Sequence, residues 1–307
     1  MSKQPPRRPA GKNRPQQRKG RTAVAARTAK QKSDRTLWIA GGVVVVIGIA
    51  LVIAFAGNKK TAADGFIKGD TKASASVVSK VTGLDAKVFN AVGDGAVVSQ
   101  PKKLPGPALT TADGKPRIVY LGAEYCPYCA TERWAMVQAL SRFGTFSNLR
   151  FTSSAKVTQV GSPEVFPGTQ TFSFHNTKFT SKYIQFEAVE SEDNSYKPLE
   201  TPTQEQQDLA KKYDAPPYVD SQSAGSIPFI DFANQWVISG ASYDAGVLKD
   251  KSHAQIADAM ADSSTDISKG AVGTANWITG AICKTTGDKP AAVCSVKAVK
   301  DIEAKLK

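Results

Sequence analysis

Residues 117–144, RIVYLGAEYCPYCATERWAMVQALSRFG, hold the pattern on which the fold of this chain turns. Arg117–Tyr125 is a short, β-rich apolar run that leads straight into Cys126. From Cys129 onward the stretch CATERWAMVQALSRFG has helical character, with Trp134, Val137, Leu140 and Phe143 available for a buried face and Gly144 as a stop. The spacing predicts a strand-to-helix junction, with Cys126 just before the first turn and Pro127 at the favoured first helical position. A helix opening has unpaired amides and a partial positive charge, and both favour a thiolate over a thiol. Cys126 is therefore expected to be the attacking nucleophile. Cys129, three positions on and on the same face, is within reach to resolve a mixed disulfide. A zinc site at the same pair would need two more ligands. The other cysteines, Cys283 and Cys294, lie more than 150 residues downstream, and the chain has only His175 and His253, so neither a metal nor a cofactor is expected.

A second block follows at 223–262. Ile227 and Pro228 precede FIDFA, then Asn234 and Gln235, then WVISGA, which predicts a strand, a tight turn and a strand, with a helix from about Ser252 to Met260. Pro228 opens the first strand, where its missing N–H is tolerated. The order of strand, C-x-x-C, helix, Ile-Pro, hairpin and helix is similar to that of the thioredoxin superfamily. GAEYCPYC resembles the W-A-E-W-C-G-P-C active site of thioredoxins, and Cys-Pro-Tyr-Cys is the tetrapeptide typical of glutaredoxins. The resemblance covers about 117–262. It implies an α/β, thioredoxin-like fold with Cys126 as nucleophile and Cys129 as resolving thiol. It also implies that Pro228 is a cis-proline lying against the disulfide and offering backbone to a substrate chain, with Ile227 as the apolar residue before it. Pro127 and Tyr128 would lie at the same substrate face. Pro127 resembles the first intervening residue of strong oxidants, whereas Tyr128 lacks a cation that would help hold a thiolate.

The chain departs from that pattern in three places. Tyr120 stands where thioredoxins hold a buried Asp. Glu124 is closer to the cysteines but is expected at the strand end, in solvent. From Cys129 to Pro228 there are 98 intervening residues, so the fold is expected to carry a long insertion at about 152–224 between the C-x-x-C helix and the cis-proline strand. Within it Thr171–Asp193 reads as strands, with one short helix near Gln204–Tyr213.

Charge and hydropathy place the molecule. The formal net charge is +13, but residues 1–60 hold 14 Lys/Arg against the single acid Asp34, and the remaining 26 Lys/Arg and 26 Asp/Glu cancel. The globular part thus has no basic excess of the kind nucleic-acid binding needs, and no nucleic-acid partner is expected. Residues 1–36 are too polar to bury a core and are expected to form a disordered basic cytoplasmic tail. Leu37–Gly57 is a run of 21 residues without a charge, long enough as a helix to span about 30 Å of hydrocarbon. A cleavable signal is the other reading, since Ala54-Phe55-Ala56 fits a processing site, but the basic leader is long and the apolar run exceeds the usual length of about 7–15 residues. Because the basic residues precede the span, the N-terminus is expected in the cytoplasm and the C-terminal domain outside it, anchored to membrane lipid by one transmembrane helix.

Residues 58–108 are expected to form a tether and an accessory helix, the latter from SASVVSKVTGLDAKVFNAVGDG, with Gly93 and Gly95 ending it. Residues 109–307 would form the exported domain, with a C-terminal helical segment at 263–307. There Cys283 and Cys294, ten residues apart across Gly287 and Pro290, read as a structural disulfide, the alternative being a pair that shuttles electrons to Cys126 and Cys129. Trp134, Trp236 and Trp277 are expected in the core. Basic tail, single span, Cys-Pro-Tyr-Cys and C-terminal cysteine pair together resemble an uncharacterised, domain-of-unknown-function family of membrane-anchored thioredoxin-like bacterial proteins. The function expected is a membrane-anchored extracytoplasmic thiol–disulfide oxidoreductase that exchanges disulfides with exported protein thiols and is coupled to a membrane redox partner. The rival is a non-catalytic docking module whose Cys126–Cys129 disulfide is structural. A third reading makes the basic tail the working part.

Overall fold

The computed structural model describes residues 71–306. The basic tail, the expected transmembrane run at 37–57 and the first part of the tether lie outside these residues. No helix among the described residues is long and apolar enough to cross a membrane.

In chain order the structure begins with β1 (Thr71–Lys72), α1 (Ala75–Thr82), α2 (Ala86–Val92), β2 (Lys102–Lys103), β3 (Arg117–Gly122) and α3 (Pro127–Leu140). Five strands follow: β4 (Gly144–Ser147), β5 (Arg150–Ser153), β6 (Gln170–Ser173), β7 (Lys178–Ser181) and β8 (Gln185–Glu190). After them come α4 (Gln204–Tyr213), β9 (Phe229–Phe232), β10 (Trp236–Ser239), α5 (His253–Ala261), α6 (Gly273–Thr286), α7 (Ala291–Cys294) and α8 (Lys297–Glu303). The fold is mixed α/β.

The main sheet has the order β2-β10-β9-β3-β8. β3 runs parallel to β8, with Gly122 opposite Glu190, and antiparallel to β9, with Val119 opposite Asp231. Being central, β3 is covered on both faces, and Ile118, Val119 and Tyr120 are fully buried, which is why it reads as a continuous apolar run without alternation. β9 and β10 form a hairpin through the three residues Ala233, Asn234 and Gln235, the first two at positive φ. The Asn234 amide donates to the Asp231 carboxylate at 2.7 Å and closes that turn.

Two findings differ from the sequence expectation. The stretch 74–93 forms two helices. Ser74 caps α1, the Gly83 amide closes it on the Ser79 carbonyl, and Asp85 starts α2 by accepting from the Lys87 amide. A glycine followed two residues later by an Asp is both a stop and a start. The second difference concerns α3, expected to bury one face. Every residue of α3 except Tyr128 is buried, because β6 from the insertion and α6 from the C-terminal segment pack against it as well. Trp134 illustrates this: its indole N–H donates to the Gln170 carbonyl at 2.9 Å and its ring meets Phe172 edge-on.

The segment 171–193 forms β6, β7 and β8, and α4 spans the residues expected of it, its first turn held by a reciprocal cap between Thr203 and Gln206. Residues 71–108 join the domain: β1 pairs with β5, α1 packs on α5 and α3, and β2 extends the main sheet beside β10. Trp134, Trp236 and Trp277 are all buried. Cys283 and Cys294 form a disulfide, Cα atoms 5.7 Å apart, that ties α6 to α7.

Candidate functional site

Cys126 caps the N-terminus of α3. Its backbone is extended, and its sulfur accepts the Cys129 amide at 3.3 Å. Pro127 follows at the first helical position, where no N–H is needed. The Cys126 thiol in turn donates to the Ile227 carbonyl at 3.6 Å, so the chain just before Pro228 lies against the Cys126 sulfur. The Ile227–Pro228 bond is cis. The structure thus brings Cys126, Cys129 and Ile227 together, although Ile227 is about a hundred residues away in sequence. Cys126 and Cys129 are both free thiols and both buried, Cys126 being 5% exposed. Tyr128, between them, is half-buried and meets Phe166 edge-on.

Burial pushes the Cys126 thiol up. Hydrogen bonds from the Cys129 side chain and amide, together with the Arg133 charge, outweigh burial and bring it below its ordinary value. Cys129 goes the other way, pushed well up by burial and by its neighbour Cys126. The two thiols are thus shifted in opposite directions.

Three charged groups stand behind the pair, of which the sequence singled out only Glu124, and that one in solvent. Arg133, one helical turn after Cys129, is fully buried and donates to both carboxylate oxygens of Glu190, at 2.8 and 2.6 Å. The terminal nitrogen that bonds Glu190 also donates to the Ala123 carbonyl at 2.7 Å, the same carbonyl that accepts the Cys126 amide. Glu190 ends β8 and is delivered there by its register with Gly122. Glu124 is the third, and here the expectation of a solvent position is corrected. It is 1% exposed, because its amide bonds the Glu192 carbonyl and draws the chain inward, while its carboxylate accepts from Thr152 at 3.1 Å. Burial raises its pKa. The one readable signal was that Glu132 and Arg133 interrupt an otherwise apolar and small-residue helix.

Tyr120, at the place of the thioredoxin Asp, is fully buried and its ring lies across Gly122, where an added Cβ would come within 2.6 Å of Cζ. The close of β3 therefore needs glycine. Above the motif, the Ala155 amide bonds the Tyr125 carbonyl and the Tyr125 ring lies tilted against Tyr196, so the loop 154–169 flanks the motif. Val157, Val160 and Val165 of that loop are exposed. His175 pairs with Glu200, and His253 Nε2 donates to the Thr171 carbonyl at 2.8 Å within the core, so neither histidine stands at the thiols' hydrogen bonds. Among the described residues no group of three or more His, Cys, Asp or Glu is placed to hold a metal ion. The Cys283–Cys294 disulfide is closed on itself within the C-terminal helices.

A family model described as a domain of unknown function (DUF929) matches residues 106–284, from before β3 to near the end of α6, and the chain belongs to that family. No curated protein and no solved structure matches the chain.

Proposed function

We propose that this member of an uncharacterised family is a membrane-anchored, extracytoplasmic thiol–disulfide oxidoreductase of thioredoxin-like architecture. The observation that carries the reading is the Cys126 sulfur, held at a helix N-terminus by the Cys129 amide and facing the backbone carbonyl before Pro228. The architecture is supported by the run β10-β9-β3-β8, in which the strand that ends at the cysteines has a parallel neighbour on one side and the Pro228 hairpin, antiparallel, on the other. The uncharged run 37–57 behind a basic leader supports the anchor and its orientation. Partners would be exported protein thiols or disulfides and a membrane redox partner. The exposed valines of loop 154–169 suit a polypeptide substrate.

The Cys126 thiolate attacks one sulfur of a substrate disulfide, forms a mixed disulfide and expels the other substrate sulfur as a thiolate. Cys129 then gives up its proton and attacks the Cys126 sulfur, releasing the second substrate thiolate. The substrate gains two electrons as the Cys126–Cys129 pair loses them, and the reverse sequence oxidises a substrate dithiol. Ile227 and Pro228 would align the substrate chain, with Pro127 and Tyr128 at the rim.

The burial of both sulfurs favours a second reading, a docking module whose cysteine pair is structural. Titration of the full-length chain against glutathione redox buffers, with Cys126 followed by alkylation and mass, separates the two. A reversible potential between about −270 and −120 mV is the expected result. A pair that stays oxidised until the domain unfolds would sink the enzyme reading and leave the docking module.

A further inference from the structure

Resting on the oxidoreductase reading, we propose that the buried Arg133–Glu190 pair positions and charges the redox dithiol, and so sets how oxidising the Cys126–Cys129 disulfide is. Arg133 holds the loop that carries Cys126 and supplies a cation to the sulfurs. Glu190 fixes that cation and limits its reach.

The geometry assigns both tasks. Arg133 is on α3, the helix that Cys126 opens, and its guanidinium bonds the Ala123 carbonyl that also receives the Cys126 amide. One group therefore anchors the redox loop from below. Its other bonds are the two-pronged contact with Glu190, both side chains being fully buried. In so dry a setting a charge acts over several ångströms with little screening. The titratable groups whose charges act on the sulfurs are Tyr120 from β3, Tyr125 from the loop, Tyr128 and Arg133 from α3, Glu190 from β8 and Tyr196 from the segment after it. The field of Arg133 lowers both thiols and that of Glu190 raises Cys129, so the pair acts on the sulfurs with opposite signs. A cation beside the thiolate stabilises the reduced form, and stabilising the reduced form makes the disulfide a stronger oxidant.

A pair that merely tied α3 to β8 would behave differently, and the difference lies in the sign. Glu190→Gln keeps an acceptor for Arg133 but removes the opposing charge. It should move Cys126 ionisation to lower pH and make the pair about tenfold more oxidising against glutathione, about 30 mV. The double change Arg133→Met with Glu190→Leu removes both charges together, at the cost of the acceptor that Glu190 offers the Phe174 amide. It should move Cys126 ionisation to higher pH and the exchange constant about tenfold the other way. Arg133→Lys keeps the cation and should retain most of the parent ionisation even if it is less stable. The measurements, on the full-length chain, are the pH dependence of Cys126 alkylation and the glutathione exchange constant. Shifts of opposite sign in the first two variants support the assignment. Folded variants whose constants stay within twofold of the parent, or move in one direction together, overturn it alone. Failure of the parent chain to exchange with glutathione at all would fell the oxidoreductase reading, and this assignment with it.

Discussion

At the scale of single residues, the cysteines were legible because their function is local: a strand, a C-x-x-C and a helix opening are contiguous in sequence. Arg133, Glu190 and Glu124 were not, because a charge in a sequence carries no sign of its partner. Glu190 reaches Arg133 only through the pairing of β8 with β3, which no local pattern encodes. Glu132 makes the same point and yields a test. It is fully buried on α3 and accepts the Ser242 amide and hydroxyl at 2.9 and 3.0 Å, yet burial still lifts its carboxyl to about 7. A carboxyl raised in the folded state is protonated there while the unfolded chain has already ionised. Its contribution is therefore intact below about pH 4.5 and is lost as pH rises towards 7. Asp231, lifted to about 7 by burial, acts with the same sign. Glu132→Gln should remove its own share, flattening the decline in unfolding free energy between pH 4.5 and 7 by about 3 kcal/mol. Urea unfolding across that range reads the slope, and a variant curve parallel to the parent's would show that Glu132 is ionised in the folded protein.

At the scale of elements, the helices and strands that could be read were those whose caps and periods are in sequence: α4, α5, the β9–β10 hairpin and β3. The single helix expected over 74–93 failed because apolar spacing continued across Gly83 and Asp85, and the period outweighed the two signals that break it. α6 shows what the period cannot convey. Its start docks on the end of α2, where the Asn276 amide donates to the Gly93 carbonyl, just past the helix end, and to the Phe89 carbonyl, which the Gly93 amide also bonds. The approach is close: a Cβ on Gly273 would lie 2.8 Å from the Gly95 Cα and 3.1 Å from the Asp94 carbonyl oxygen. Gly273→Ala gains helix propensity, worth up to about 1 kcal/mol, but overpacks this contact at a cost of about 1–3 kcal/mol. The net expectation is a loss of about 1–2 kcal/mol in unfolding free energy, with the glutathione exchange constant unmoved. A variant more stable than the parent would mean that the two segments separate without cost.

At the scale of the whole molecule, the sheet order and the wrapping of α3 were beyond the sequence, because both depend on which distant segments meet. The strand parallel to β3 comes from the middle of the insertion, and the helices that close over α3 come from both ends of the domain. The C-terminal disulfide belongs to this scale, since it holds α6 and α7 at the edge of that wrapping. Both sulfurs are fully buried, and the bond closes a loop with a sequence separation of 11. On the chain-entropy account a loop of that size restrains the unfolded chain by about 3 kcal/mol. Replacing Cys283 and Cys294 together by Ala should therefore lower unfolding free energy by about that amount, plus the loss of two buried sulfurs from packing. If the bond is a staple, the potential of Cys126–Cys129 should not change, because neither sulfur acts on that dithiol. If the pair instead relays electrons, the double variant should keep its glutathione potential yet fail to be reoxidised or re-reduced by its membrane partner. Measuring stability together with reoxidation and re-reduction by the membrane partner in the same variant separates the two, and stability lost with turnover kept is the outcome this structure leads us to expect.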